Sequence, residues 1–172
     1  MRSIHPIIIL AKDVIRTYIT EGVIPPANKE LTKELLGKGG VFVSIKKHGR
    51  LRGCIGTIEP NKNNLAEEIA QNAISASTKD PRFPPITIDE LGDLTISVDL
   101  LSSLEKVTDR CQLDPKKYGI LVTSRNKTGV LLPDLEGIDT VEEQLRIGKK
   151  KGDIEPHEKI EIKRFEVKRY TE

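Results

Sequence analysis

A chain of 172 residues is one domain by size, long enough to bury roughly 70% of the surface its unfolded form exposes. Hydrophobic residues at 37% and charged residues at 31% give an ordinary globular balance, while aromatics at 3% with no Trp leave the core to Ile, Leu and Val. The net charge of +2 lacks the clustered basic excess of a nucleic-acid or acidic-membrane binder, and the apolar run near the N-terminus is interrupted by Lys12 and Asp13, too early to span a bilayer.

Neither the first residues nor Cys54 and Cys111 suggest secretion, so the expectation is a cytoplasmic chain with free thiols. Ile4, Ile7, Ile8, Ala11, Val14, Ile15 and Tyr18 recur at three- and four-residue steps, predicting an amphipathic helix over about 5–21 with Ser3 as cap and Gly22 beyond its end. Pro25-Pro26 break the chain, and Asn28 to Leu36 read as a short helix stopped by Gly37. Val41, Val43 and Ile45, and then Leu51, Gly53, Ile55 and Thr57, alternate as two strands of a hairpin. Only an odd-length loop keeps both aliphatic sets on one face, which points to a three-residue loop Lys47-His48-Gly49. Cys54 then shares the opposite face with Arg52, Ser44 and Phe42.

Asn64 caps a helix through Leu65, Ile69, Ala73 and Ala76, with Glu67 and Glu68 in its first turn. Asp80-Pro81-Arg82-Phe83-Pro84-Pro85 is a stiff connector, and Leu94, Ile96, Val98 and Leu100 mark a half-buried strand. The plan then repeats. Tyr118 to Ser124 and Thr128 to Leu132 form a hairpin, Thr140 to Glu143 start a capped helix that ends at Gly152, and Lys159 to Val167 is a final strand with a bulge expected at Lys163-Arg164. The half-repeats, about 41–101 and 118–168, begin 78 residues apart, Val41 to Gly119. The fold class that follows is α+β with a mainly antiparallel sheet, in a single domain spanning 1–172.

Four motifs in order, Leu51-Arg52-Gly53-Cys54-Ile55-Gly56-Thr57, Asp80-Pro81-Arg82-Phe83, Gly129-Val130-Leu131-Leu132-Pro133 and Arg164-Phe165-Glu166-Val167, strongly resemble the AMMECR family over almost the whole chain. The resemblance implies a larger and a smaller lobe around a groove, and a component encoded beside, or fused to, a Memo-type protein similar to non-haem dioxygenases and a radical S-adenosylmethionine enzyme. The helix after Thr140 lacks the Trp and second Cys that many bacterial relatives carry there, which argues against a two-cysteine mechanism at that position.

Cys54 is the candidate nucleophile, with Arg52 placed to favour its thiolate; the competing reading is a small residue packed against Phe42. Gly53 and Gly56 admit either a ligand or the following helix, Ser44 shares the thiol's face, and Asp80 and Arg82 either fix their loop or bind an anionic ligand. His48 belongs to a hairpin tip, Cys111 has no helper residue, and Lys149-Lys150-Lys151 is a solvated helix end. No metal-ligand spacing and no cofactor motif is present. Two functions follow: a binding module or accessory subunit that presents the Arg52–Cys54 groove to a partner, or an enzyme that uses Cys54 on a small polar substrate. Nucleic-acid association is the weaker third.

Overall fold

Apolar residues on one stripe of the first helix decide how the chain begins to pack. In the computed structural model, which describes residues 4–25 and 32–172, α1 (Pro6–Glu21) buries Ile7, Ile8, Ala11, Val14 and Ile15 and ends at Gly22 in a left-handed conformation, φ 72°. The cap is His5, whose side chain accepts the Ile7 N–H; Ser3 and Asn28 to Leu31 of the expected short helix lie outside the described residues, and Lys33 to Leu36 form a turn instead of a helix. Ile4 is exposed, because it precedes the helix and misses the stripe.

The chain divides into two compact units, one running to Leu101 and including Lys168–Glu172, the other Ser102–Val167. In the first, β1 (Val41–Lys47) and β2 (Arg50–Thr57) pair antiparallel, α2 (Leu65–Thr78) follows, and β3 (Leu94–Leu101) pairs with β1. The sheet order is β2-β1-β3-β8, with β8 (Val167–Thr171) at its edge. Val41, Val43, Ile45, Ile96, Val98 and Leu100 join the stripe of α1 and the buried Leu65, Ile69 and Ala73 of α2 in one core. Asn64 caps α2 by accepting the Glu67 N–H, as its position before the periodic run predicts.

The shared face of the hairpin agrees with the alternation; the turn, and the pairing that follows from it, do not. His48 and Gly49, at φ 48° and 77°, make a two-residue turn, and the pairing shifts between Ile45 and Lys46, so that Arg52 is the extra residue of a bulge. A two-residue turn plus one bulged residue restores the odd count and keeps both aliphatic sets on one face, but Ile45 pairs with Gly53 and Val43 with Ile55, where a loop of Lys47-His48-Gly49 would pair them with Leu51 and Gly53. Leu51 is the exception: it pairs with Lys46 on the outer side of the bulge and is exposed.

In the second unit β4 (Glu105–Val107), β5 (Gly119–Ser124), β6 (Lys127–Leu131), α3 (Val141–Lys151) and β7 (Glu161–Phe165) form a sheet in the order β4-β7-β5-β6, packed against α3. Thr140 and Glu143 make the expected capping box of α3. No bulge occurs at Lys163-Arg164. Pairing of β7 with β5 is unbroken from Gly119–Phe165 to Thr123–Glu161. Phe165, three residues after Ile162, lies on the other face and sets its ring over Gly119, so the change of aliphatic phase is a change of face. The architecture is α+β, with two antiparallel sheets and helices packed on them. No described helix is long and apolar enough to cross a membrane.

Candidate functional site

Everything around Cys54 lies in the first unit and starts from the bulge. The bulge re-aims Arg52, whose Nε and Nη2 donate to both carboxylate oxygens of Glu90 at 3.0 and 2.8 Å, while Nη1 and Nη2 reach the carbonyls of Pro84 and Pro85. Glu90 also accepts from Lys47 Nζ at 3.1 Å and from the Thr87 N–H. Hydrogen bonds from Arg52, outweighing burial, hold the Glu90 carboxyl well below the usual carboxylate range. Arg52 is therefore not the helper of the thiol that the strand pattern suggested. A guanidinium that satisfies one buried carboxylate and two carbonyls pins the proline connector to β2.

The guanidinium near Cys54 is that of Arg82. Asp80, buried at the start of the connector, accepts the Cys54 N–H at 2.9 Å, the Arg82 N–H at 3.1 Å, and Arg82 Nε and Nη2 at 3.0 and 2.8 Å. Arg82 Nη2 also donates to the Cys54 carbonyl at 3.4 Å. Asp80 and Arg82 thus supply one acceptor and one donor to the open edge of β2, as a neighbouring strand would. The Arg82 side chain, with the Cys54 N–H helping, keeps the Asp80 carboxyl far below its ordinary value, and the same bond raises Arg82. A carboxylate so held is a weak base.

Because the Cys54 N–H turns outward to Asp80, Cys54 and Ser44 face each other across the closer kind of antiparallel pair. Their Sγ and Oγ are 3.2 Å apart, and Cys54 is half-buried. Across β1 the row continues with Ser97 opposite Ser44 and Asp99 opposite Phe42, and Asp99 is paired with Arg169 of β8 at 2.7 Å. This face is polar, and neither glycine opens it to a ligand. A Cβ on Gly53 would lie 2.1 Å from the Ala76 carbonyl oxygen of α2, and one on Gly56 would lie 2.3 Å from the Phe42 ring. Gly53 therefore serves helix packing, and Gly56 makes room for Phe42.

His48 sits exposed at the hairpin tip, 3.5 Å from Asp93, and caps no part of this site. Cys111 is exposed in the second unit, and its hydrogen bond with Asp109 raises the thiol, disfavouring thiolate. Among the described residues no group of three His, Cys, Asp or Glu side chains could hold a metal ion. The sequence reading missed Glu68, a fully buried carboxylate in the first turn of α2 that accepts from Thr57 Oγ at 2.6 Å and from the N–H groups of Asn61 and Lys62 at 2.8 Å each. Its place in the first turn of the helix was read from the sequence; the loop that folds over it and buries it gives no separate signal. Glu90 was also missed, although Thr87 three residues before it is a capping-box pattern.

The AMMECR1 family model matches residues 8–171. The chain belongs to the AMMECR1 family. A Thermotoga maritima protein is 50% identical over 169 residues, covering 96% of this chain and 97% of that one. A Clostridium acetobutylicum protein is also 50% identical, over 171 residues, but the match spans only 36% of its length. The solved structure of an uncharacterized protein from Pyrococcus horikoshii superposes with a TM-score of 0.87 at 28% identity, covering 95% of this chain and 88% of that chain. The four motifs that carried the resemblance thus sit in an AMMECR1 domain whose fold has an experimental counterpart.

Proposed function

We propose that this AMMECR1 chain is a binding module or accessory subunit that presents the Cys54 edge of its first sheet to a protein partner. The observation that carries this reading is the engagement of every charged group in the motifs. Arg52 is held by Glu90, Asp80 by Arg82 and Cys54, and the polar contact of the thiol is the Ser44 hydroxyl rather than a base. Such an arrangement fixes a shape and leaves no poised acid or base. Modular use fits the relatives: the domain accounts for 97% of the Thermotoga protein and about a third of the Clostridium one. The partners implied by the family resemblance are a Memo-type protein and a radical S-adenosylmethionine enzyme, in the cytoplasm.

A second reading has one observation in its favour. The Cys54 thiol is partly exposed, with a hydroxyl at 3.2 Å and the Arg82 guanidinium bonded to its own carbonyl, which suits a nucleophile or carrier for a small polar substrate. The test is Cys54→Ser, assayed against the purified Memo-type and radical enzymes of the same organism. Loss of binding with an unchanged melting temperature supports the module. Retained binding with lost pathway output supports catalysis, and retention of both overturns any role for Cys54.

A further inference from the structure

At the end of the second hairpin lies an open hollow of about 480 Å³, lined by Ser124, Arg125, His157, Glu158 and Lys159. One side is the turn between β5 and β6, and the other is the connector that runs from α3 to β7. No apolar side chain lines it, so polar groups alone must hold a ligand there.

The connector is already fixed. Lys149 Nζ donates to the carbonyls of Pro156 and Glu158 at 2.7 and 3.2 Å, on either side of His157. The Glu158 carboxylate accepts from Lys127 Nζ and Ser124 Oγ at 2.9 Å each and from the Glu155 N–H at 3.0 Å. The one carboxylate of the lining is therefore engaged on both oxygens, and Lys127 offsets its charge. Asp153 and Glu155 line a different hollow, against α3. Arg125, His157 and Lys159 remain: among the described residues none of these side chains takes part in an ion pair or hydrogen bond. Glu161, which opens β7 opposite Thr123, pairs with none of them. Two permanent positive charges and an imidazole N–H thus border the hollow, and no carboxylate of the lining is left to oppose them.

The turn adds an independent argument. Arg125 has φ 52°, in the left-handed region that strains an L side chain and that glycine or asparagine occupies more readily. Arginine contributes nothing to such a turn. A strained residue whose side chain is unused by the fold, at the rim of a hollow, points to a use for that side chain.

We infer that this hollow binds the phosphate group of a small phosphate monoester, between the Arg125 guanidinium on the turn and His157 and Lys159 on the connector. A monoester carries nearly two negative charges near neutral pH and three strong acceptor oxygens, which match two cations and a third donor. Donors held on a fixed connector lose little freedom on binding. The site lies in the other unit from Cys54 and stands independently of the proposed function.

The experiment is an amide NMR titration of the whole chain near neutral pH with inorganic phosphate and glycerol phosphate, run beside dimethyl phosphate and sodium chloride at matched ionic strength. Phosphate and glycerol phosphate are expected to saturate, with shifts concentrated at residues 124–127 and 156–159. Dimethyl phosphate, a diester with one charge, should bind about fivefold more weakly or worse, and chloride should not saturate. Arg125→Gly should weaken phosphate by about fivefold or more and yet melt no lower than wild type, because glycine suits the turn. Lys159→Ala, at an exposed position, should weaken it similarly. Dimethyl phosphate binding as tightly as the monoester would mark a site for a phosphodiester backbone and overturn the assignment. Chloride reproducing the same shifts, shifts elsewhere, or full binding by Arg125→Gly would overturn it too.

Discussion

The two units solve one packing problem alike and then diverge at the pair of residues beside it. In each, a hairpin, a helix and a third strand pair in the same order, β2-β1-β3 and β6-β5-β7. In each, a glycine on the second hairpin strand meets helix backbone: Gly53 against the Ala76 carbonyl oxygen and Gly129 against that of Gly148. Gly53 faces Ile45 across its hairpin, and Gly129 faces Val122. Aligned on these glycines, the next pair is Cys54 with Ser44 in the first unit and Val130 with Leu121 in the second. The pairing beyond the glycine thus carries an aliphatic pair in one hairpin and a thiol and a hydroxyl in the other, although only the first hairpin has a bulge before its glycine. The corresponding pair of the second unit does without a thiol and a hydroxyl, which is the physical reason to look for a use of Cys54 and Ser44 in recognition.

The largest expected effect tests the shared part. Gly53→Ala and Gly129→Ala would place a Cβ 2.1 and 1.9 Å from a carbonyl oxygen, an obstacle that no rotamer change removes. Each should destabilise by about 3 kcal/mol, the upper end for overpacking, measured by denaturant unfolding. A mild effect at Gly129 beside a large one at Gly53 would break the equivalence of the units.

The next largest isolates what only the first unit has, the clasp on the β2 edge. Asp80→Ala leaves the Cys54 N–H without its acceptor and should cost about 2 kcal/mol near neutral pH. The Asp80 carboxyl is held below its unfolded value by Arg82, so its contribution is complete above that value and is lost as pH falls. The stability gap between wild type and variant should therefore narrow below about pH 4. A gap that stays constant into acid would mean that the clasp contributes shape and no charge interaction.

How much of this was legible follows from distance along the chain. The α1 stripe, the Asn64 cap and the face shared by the aliphatic residues of the hairpin are local patterns and appear in the structure. The loop length was misread because a bulge and a two-residue turn leave the same aliphatic pattern as one odd loop. Arg52 was assigned to the thiol because strand spacing is visible in sequence, whereas Glu90, 38 positions away, is not. β4 escaped because Glu105, Lys106 and Val107 are too few to alternate. Asp80 and Arg82, two residues apart, were legible as a pair, yet their grip on Cys54 depends on how the connector returns to the sheet.

A smaller effect compares the connectors that return from helix to strand. Glu90 holds Lys47 and Arg52 at one hairpin, and Glu158 holds Lys127 and Ser124 at the other, at 2.9 Å each. The Glu155 N–H, then Lys127 and Ser124, lower the Glu158 carboxyl to about 2. Its stabilisation is complete above the unfolded carboxylate value and falls away toward pH 2. Glu158→Gln should lower the melting temperature less than Glu90→Gln, because Glu90 alone also answers an arginine fork and two connector carbonyls share that arginine. Equal losses would show that the connectors are anchored with equal strength.

The smallest effect on stability carries the most meaning. Replacing Cys54 by Val and Ser44 by Ala gives the first unit an apolar pair in place of the thiol and hydroxyl, at a site already bordered by Phe42. The Cys54 N–H and carbonyl, which hold Asp80 and Arg82, are backbone groups and survive the change. The double variant should therefore stay within about 1 kcal/mol of wild type, as half-buried substitutions without a lost buried partner do. If it folds so and loses its partner, the thiol–hydroxyl pair is recognition chemistry laid on a scaffold that does not need it. If it unfolds instead, the Ser44–Cys54 contact is structural, and the alignment with Leu121 and Val130 does not mark a functional difference between the units.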